Sequence, residues 1–162
     1  MRKFNGTSIV LATHNQGKFE EMKKLFDHVK DISIYSPKDF ALNEPREVGQ
    51  TYVENARIKA KYSSEMTGLI SLSDDSGIEI DSLDGAPGVF TADWAETKKG
   101  RDFDYAMKKV WDALEAKKAP IPRKAQFCCT LVMVWPDKHE EVFEGFAEGT
   151  LTWPGRGSNG HG

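Results

Sequence analysis

The chain has 162 residues, with 22 lysines and arginines against 25 aspartates and glutamates, for a formal net charge of −3. That length suits one domain with a sizeable core, and 39% hydrophobic with 29% charged residues excludes a disordered or fibrous chain. The mild acidity excludes the broad basic field that wraps a nucleic-acid duplex. No apolar run approaches a membrane span or a signal peptide, so neither nucleic acid nor membrane is an expected partner. The two cysteines, Cys128 and Cys129, are adjacent. Adjacency is poor geometry for a structural disulfide and gives no metal-ligand spacing, so a reducing, cytoplasmic setting is expected.

In chain order, Ser8 to Ala12 reads as a short buried strand. Phe19, Met22, Leu25, Phe26 and Val29 recur at helical spacing and predict an amphipathic helix from about Gly17 to Lys30. Ile32 to Tyr35 is a second strand, and the stretch from Ser36 to Gln50, with two prolines, is loop. Thr51 opens a helix with Glu54 as its capping-box partner, and Gly68 ends it. Leu69 to Ser73 and Ile78 to Ile80 read as strands around a tight turn at Asp74-Asp75-Ser76-Gly77. Gly85-Ala86-Pro87-Gly88 is a further turn, and Tyr105, Ala106, Lys109, Val110 and Leu114 mark a helix ending near Lys118. Ala125 to Trp135 alternates as a strand, turns at Pro136-Asp137-Lys138, and returns around Glu141 to Ala147, which predicts a hairpin. The mixture of a strand–helix–strand unit with an antiparallel hairpin makes the fold class α/β with a mixed sheet.

Four clusters are candidates for chemistry, and each has a plain structural alternative. Thr13-His14-Asn15-Gln16-Gly17-Lys18 lies between a buried strand and a helix, where unpaired N–H groups and the positive helix end suit a phosphate. A Walker A loop needs Gly at position 12 and Ser or Thr at 19; Ala12 and Phe19 stand there instead. The alternative is a simple turn with Asn15 at a helix cap. Asp74 and Asp75, at the end of a buried strand, are oxygen donors of the kind that hold Mg²⁺ together with substrate phosphates, or else part of a solvated turn. Of Glu44, Glu47 and Glu54, the last has a capping role, which leaves Glu47 freer to be a second metal carboxylate; Lys59 and Lys61 follow on the same helix. Finally, five of the 14 glycines fall in the last 14 residues, ending in Gly160-His161-Gly162. Such a run either admits a ligand close to the backbone or is a flexible tail. Trp94, Trp111, Trp135 and Trp153 are read as packing residues.

Together these clusters resemble the inosine triphosphate pyrophosphatase family, enzymes that clear non-standard purine nucleotides. Ile9 to Lys18 is similar to its T-x-N-x-x-K opening. Glu54-Asn55-Ala56-Arg57-Ile58-Lys59-Ala60, Ser73-Asp74-Asp75-Ser76-Gly77 and Gly85-Ala86-Pro87-Gly88-Val89-Phe90 follow in order. The resemblance implies an Mg²⁺-dependent hydrolase that splits ITP, dITP or XTP into monophosphate and pyrophosphate. It also implies an elongated mixed α/β fold, with two lobes around a nucleotide cleft, and a homodimer. It puts the phosphate loop on Thr13, His14, Asn15, Gln16, Gly17 and Lys18, and the base and metal-binding aspartate on Asp75. A substrate serine falls on Ser76 and a metal-holding glutamate on Glu47, while Asp74 and Lys59 lie near the phosphates, Asp74 as a further metal-side carboxylate. Gly160, His161 and Gly162 match the start of the family's G-F-G-Y-D-P loop, with His161 where a phenylalanine stacks on the base. Phe90 replaces the commoner tyrosine, and Asp93 stands where an arginine often follows. The family's later lysine and S-H-R triplet have no counterpart here, so a chain lacking the base-recognition segment is expected. The alternatives are a nucleotide-binding module with impaired catalysis and a Maf-type pyrophosphatase for other modified nucleotides.

Overall fold

The computed structural model describes residues 2–156; Gly160, His161 and Gly162 lie outside the described residues. Its main sheet has five strands in the order β2-β1-β3-β6-β7, namely β1 (Ser8–Leu11), β2 (Ser33–Tyr35), β3 (Ile70–Ile80), β6 (Lys124–Val134) and β7 (Glu140–Thr150). A second, two-stranded sheet pairs β4 (Glu96–Thr97) with β5 (Gly100–Arg101). The helices are α1 (Gln16–Lys24), α2 (Tyr52–Thr67), the short α3 (Thr91–Trp94) and α4 (Phe103–Ala116). This is the expected mixed α/β class. By their contacts the described residues divide into two compact units, one made of the chain up to residue 75 with residues 130–144, the other of residues 76–129 with the described chain from residue 145.

In the first unit β1 lies between β2 and β3 and is parallel to both, with Ile9 opposite Ile34 on one side and Ile70 on the other. A strand flanked on both sides and covered on both faces reads as a continuous apolar run, and Ile9, Val10 and Leu11 are fully buried. On one face, Ile9, Leu11, Ile70, Leu72 and Trp135 pack with Met22 and Phe19 of α1. On the other, Val132 and Val134 pack with Ala56 and Ala60 of α2, where small residues let the helix approach closely. Thr51 and Glu54 form the expected capping box at the start of α2. Gly68 ends it with φ +68°, a left-handed conformation that glycine adopts without steric cost. The predicted hairpin is present: Trp135 N–H bonds to the His139 carbonyl, and the turn residue Lys138 has φ +68°.

In the second unit Ile80, Leu83, Leu114 and Ala125 form the core, with Val110, Ala113 and Trp94 against it. The apolar positions of α4 are spaced to meet that core along one stripe. Arg123 is buried, with its guanidinium 4.0 Å from the centre of the Trp111 ring and 2.6 Å from Glu115. Trp111 in turn stacks on Trp153. The four tryptophans are thus packing residues, as expected.

Two expectations need correction. The tight turn at Asp74-Asp75-Ser76-Gly77 does not form; those residues lie inside β3, which is continuous from Ile70 to Ile80. Turn-forming side chains tolerate a strand here because both aspartates find partners at their own faces, described below. The first helix ends at Lys24 rather than near Lys30. After it, Phe26, Asp27 and Val29 donate to the carbonyls three residues back, and these tighter turns still carry Phe26 to the core.

Candidate active site

The site grows from the alternation of side chains along β3. Leu72 and Asp74 face α1, whereas Ser71, Ser73 and Asp75 face α2. Adjacent carboxylates are thereby sent to opposite sides of one strand. Asp74 is 7% exposed and accepts a 2.7 Å hydrogen bond from Lys18 Nζ, in the first turn of α1. Asp75 Oδ2 accepts a 3.2 Å bond from Asn55 Nδ2 of α2. Beneath them, the Ser73 hydroxyl donates to the Ala56 carbonyl and fixes β3 against α2.

The loop leading into α1 caps the helix start. Asn15 is the N-cap, its Oδ1 accepting from the Lys18 backbone N–H at 3.2 Å, and Thr13 Oγ1 accepts from Asn15 N–H at 3.2 Å. No acidic residue lies in the first turn of α1. The positive helix end and Lys18 are therefore uncompensated by the helix's own side chains, an arrangement that favours an anion. His14 Nε2 lies 3.1 Å from the Leu42 carbonyl; a carbonyl only accepts, so Nε2 carries the proton and ties this loop to the next. Gln16 bonds to Glu20 along the helix.

On the α2 side, Lys59 is 9% exposed and its Nζ lies 3.1 Å from Glu47 Oε1. Lys59 is one turn beyond Asn55, so the two share a helix face and reach the loop and Asp75 together. Burial pushes the Asp75 carboxyl above the usual aspartate range. The charge of Glu47 adds to that push, while Lys59, Asn55 and Lys18 act against it.

The structure thus brings together Glu47, Lys59, Asn55 and Asp75 on one face of β3, and Lys18 with Asp74 on the other. It does not gather Glu47, Asp74 and Asp75 into one group: among the described residues, no three His, Cys, Asp or Glu side chains are placed to hold a metal ion. Ser76 follows Asp75 on β3 and is half-buried. Glu54 is occupied in the capping box, Glu44 is exposed, and Lys61 turns to Glu140 at 3.3 Å. The sequence alone gives Asn55 no role beyond its place in the Glu54–Ala60 motif. The signal that marks it is a poor helix former one turn before Lys59 on the buried face of α2.

A helix start with a lysine in its first turn, and a second lysine beside two carboxylates on the other face of β3, are groups of the kinds that suit an anion and a hard cation. The model of the Ham1 family matches residues 9–162, and the chain belongs to that family. It is 57% identical over 161 residues to the dITP/XTP pyrophosphatase of Ruegeria pomeroyi, spanning 99% of this chain and 78% of that protein. It is 50% identical to the dITP/XTP pyrophosphatase of Agrobacterium fabrum, over 100% of this chain and 77% of the relative. Among solved structures, a HAM1 protein from Coxiella burnetii superposes with a TM-score of 0.83 at 35% identity, covering 94% of this chain and 77% of that one. The nucleoside-triphosphatase / dITP/XTP pyrophosphatase of Mycobacterium abscessus gives 0.76 at 29% identity, covering 96% and 80%.

Proposed function

We propose that this chain hydrolyses non-standard purine nucleoside triphosphates, dITP, ITP and XTP, to the monophosphate and pyrophosphate, removing them from the nucleotide pool. The observation that carries the reading is the buried Lys59 paired with Glu47 beside Asp75, with Lys18 and Asp74 paired across the strand at the start of α1. The names of the relatives supply the class of base.

The donor set fits Mg²⁺. Glu47 and Asp75 offer hard carboxylate oxygens, and a divalent cation would offset both the burial that raises the Asp75 carboxyl and the smaller push from the Glu47 charge. Glu47 and Asp75 would hold the ion; Asp74, on the opposite face of β3 and paired with Lys18, stands apart from it. Bound there, Mg²⁺ would neutralise phosphate charge and polarise the phosphorus under attack. Lys59 and Lys18 exchange their carboxylate partners for phosphate oxygens, and the N–H groups that open α1 cradle the phosphate chain. Asp75 accepts the proton of a water that adds to the α-phosphorus, while the bond from that phosphorus to the oxygen bridging the β-phosphate breaks. Pyrophosphate leaves with its new charge offset by Lys18. Ser76, next along the strand, meets the substrate.

We also read the working form as a homodimer in a reducing, cytoplasmic setting, which two cysteines outside any disulfide suit; no helix among the described residues is long and apolar enough to cross a membrane. The test is a substrate panel. Pyrophosphate release from dITP and XTP should exceed that from dATP and dGTP, and EDTA should abolish it. Equal turnover of methylated pyrimidine triphosphates, or turnover untouched by EDTA, would contradict the reading.

A further inference from the structure

Asn55 is 6% exposed and makes two side-chain bonds in opposite directions. Its Oδ1 accepts from the Gly49 backbone N–H at 2.8 Å, and its Nδ2 donates to Asp75 Oδ2 at 3.2 Å. The orientation of the amide is not arbitrary. A backbone N–H can only donate, so Oδ1 must face Gly49, which leaves the NH₂ group for the carboxylate. Helix capping makes no demand on Asn55, because Thr51 and Glu54 satisfy the helix start and Glu54 also accepts from Gln50 N–H.

Gly49 is shaped to the contact. A Cβ there would lie 2.6 Å from Asn55 Oδ1 and 2.6 Å from Glu54 Cβ, inside any tolerable approach. Glu47 lies two residues upstream of Gly49, and its carboxylate meets Lys59, one turn from Asn55 on α2. The loop is therefore tied to α2 twice. One tie, Lys59 with Glu47, must be given up when the lysine turns to phosphate. The other, Asn55 with Gly49, persists through binding.

The geometry points to Asn55 as a positioning residue that holds the Glu47 loop and the Asp75 carboxylate in one frame, so that both present oxygens to the same cation; this rests on the function proposed above. Asn55 touches neither substrate nor ion. It acts through Gly49 and Asp75.

The experiment compares wild type, Asn55→Ala and Gly49→Ala by EPR titration of Mn²⁺ in the presence of the α,β-methylene analogue of dITP, beside steady-state kinetics and urea unfolding. Asn55→Ala should weaken Mn²⁺ about tenfold and lower kcat about 10–100-fold, the usual span for removing a support of a metal ligand. KM for dITP at saturating metal should stay within about threefold, since the phosphate-binding lysines are untouched. Gly49→Ala lies outside the helix and pushes the loop off Asn55, so it should reproduce the Mn²⁺ defect even where Asn55→Ala unfolds. Wild-type Mn²⁺ affinity in either folded variant overturns the assignment, as does a kcat loss that only tracks the unfolded fraction. Should wild type bind Mn²⁺ with the analogue yet release no pyrophosphate, the hydrolase reading fails, while the weakened binding in both variants still supports Asn55. Absence of Mn²⁺ binding by wild type overturns both.

Discussion

In the proposed mechanism Asp75 meets two opposing demands: it must be buried enough to address the α-phosphate and charged enough to take a proton. Its carboxyl is raised by burial, so the folded chain binds that proton more tightly than the unfolded chain does. The sign follows: stability falls as pH rises from the unfolded pKa to the folded one, and the cost is complete above the folded pKa. Asp75→Asn should accordingly raise the urea midpoint of the metal-free protein at pH 7. That gain should shrink as pH falls and vanish only below about 4, where the aspartate is protonated in both states. The same substitution should lower kcat by about 10²–10⁴-fold, the span of a lost general base. A stabilised and nearly inactive variant is the expected pair of results; an equally active one would remove Asp75 from the mechanism. Asp74 predicts the contrary pattern. Lys18→Met leaves a buried carboxylate without its 2.7 Å partner and should cost about 1–3 kcal/mol. Adding Asp74→Asn should restore most of that stability in urea unfolding, but the missing lysine should keep KM for dITP raised.

At the scale of elements, β3 and α2 place the site. The start of α2 was legible in the sequence because a Thr-x-x-Glu capping box and a terminal glycine are local signals, and both occur as expected. Thr51→Ala should cost about 1 kcal/mol in thermal or urea unfolding. It should also lower kcat beyond the loss of folded protein, since Asn55 and Lys59 ride on the first two turns of that helix. β3 was not legible. Asp74, Asp75, Ser76 and Gly77 are turn formers by local chemistry; the strand is held by its place in the sheet between β1 and β6, and its two carboxylates meet Lys18 and Asn55, 56 and 20 residues away in sequence. No window of residues contains that information. The motif reading placed Asp75, Glu47, Lys59 and Lys18 as candidates without knowing the strand's alternation, and so it grouped both aspartates on one side. The strand period divides them. The end of α1 was missed for a similar reason, since Phe26 keeps helical spacing while the backbone has already left the helix.

Over the whole molecule, each compact unit carries its own buried cluster, one around Ile9, Leu11 and Leu72 and the other around Ile80 and Leu114. The apolar runs that announce these cores were readable from the sequence, whereas the division of the chain between them was not, because residues 130–144 belong with the first 75. Leu72→Ala and Leu114→Ala should each cost about 2–5 kcal/mol in urea unfolding. Leu72→Ala should in addition disturb catalysis, because Leu72 precedes Asp74 on the same face of β3. The central claim, water attacking the α-phosphorus beside Asp75, is tested most directly by hydrolysing dITP with Mg²⁺ in ¹⁸O-water and locating the label by ³¹P NMR. The account predicts one ¹⁸O in the phosphate of dIMP and none in the pyrophosphate. Label in the pyrophosphate, or stepwise release of orthophosphate, would contradict it.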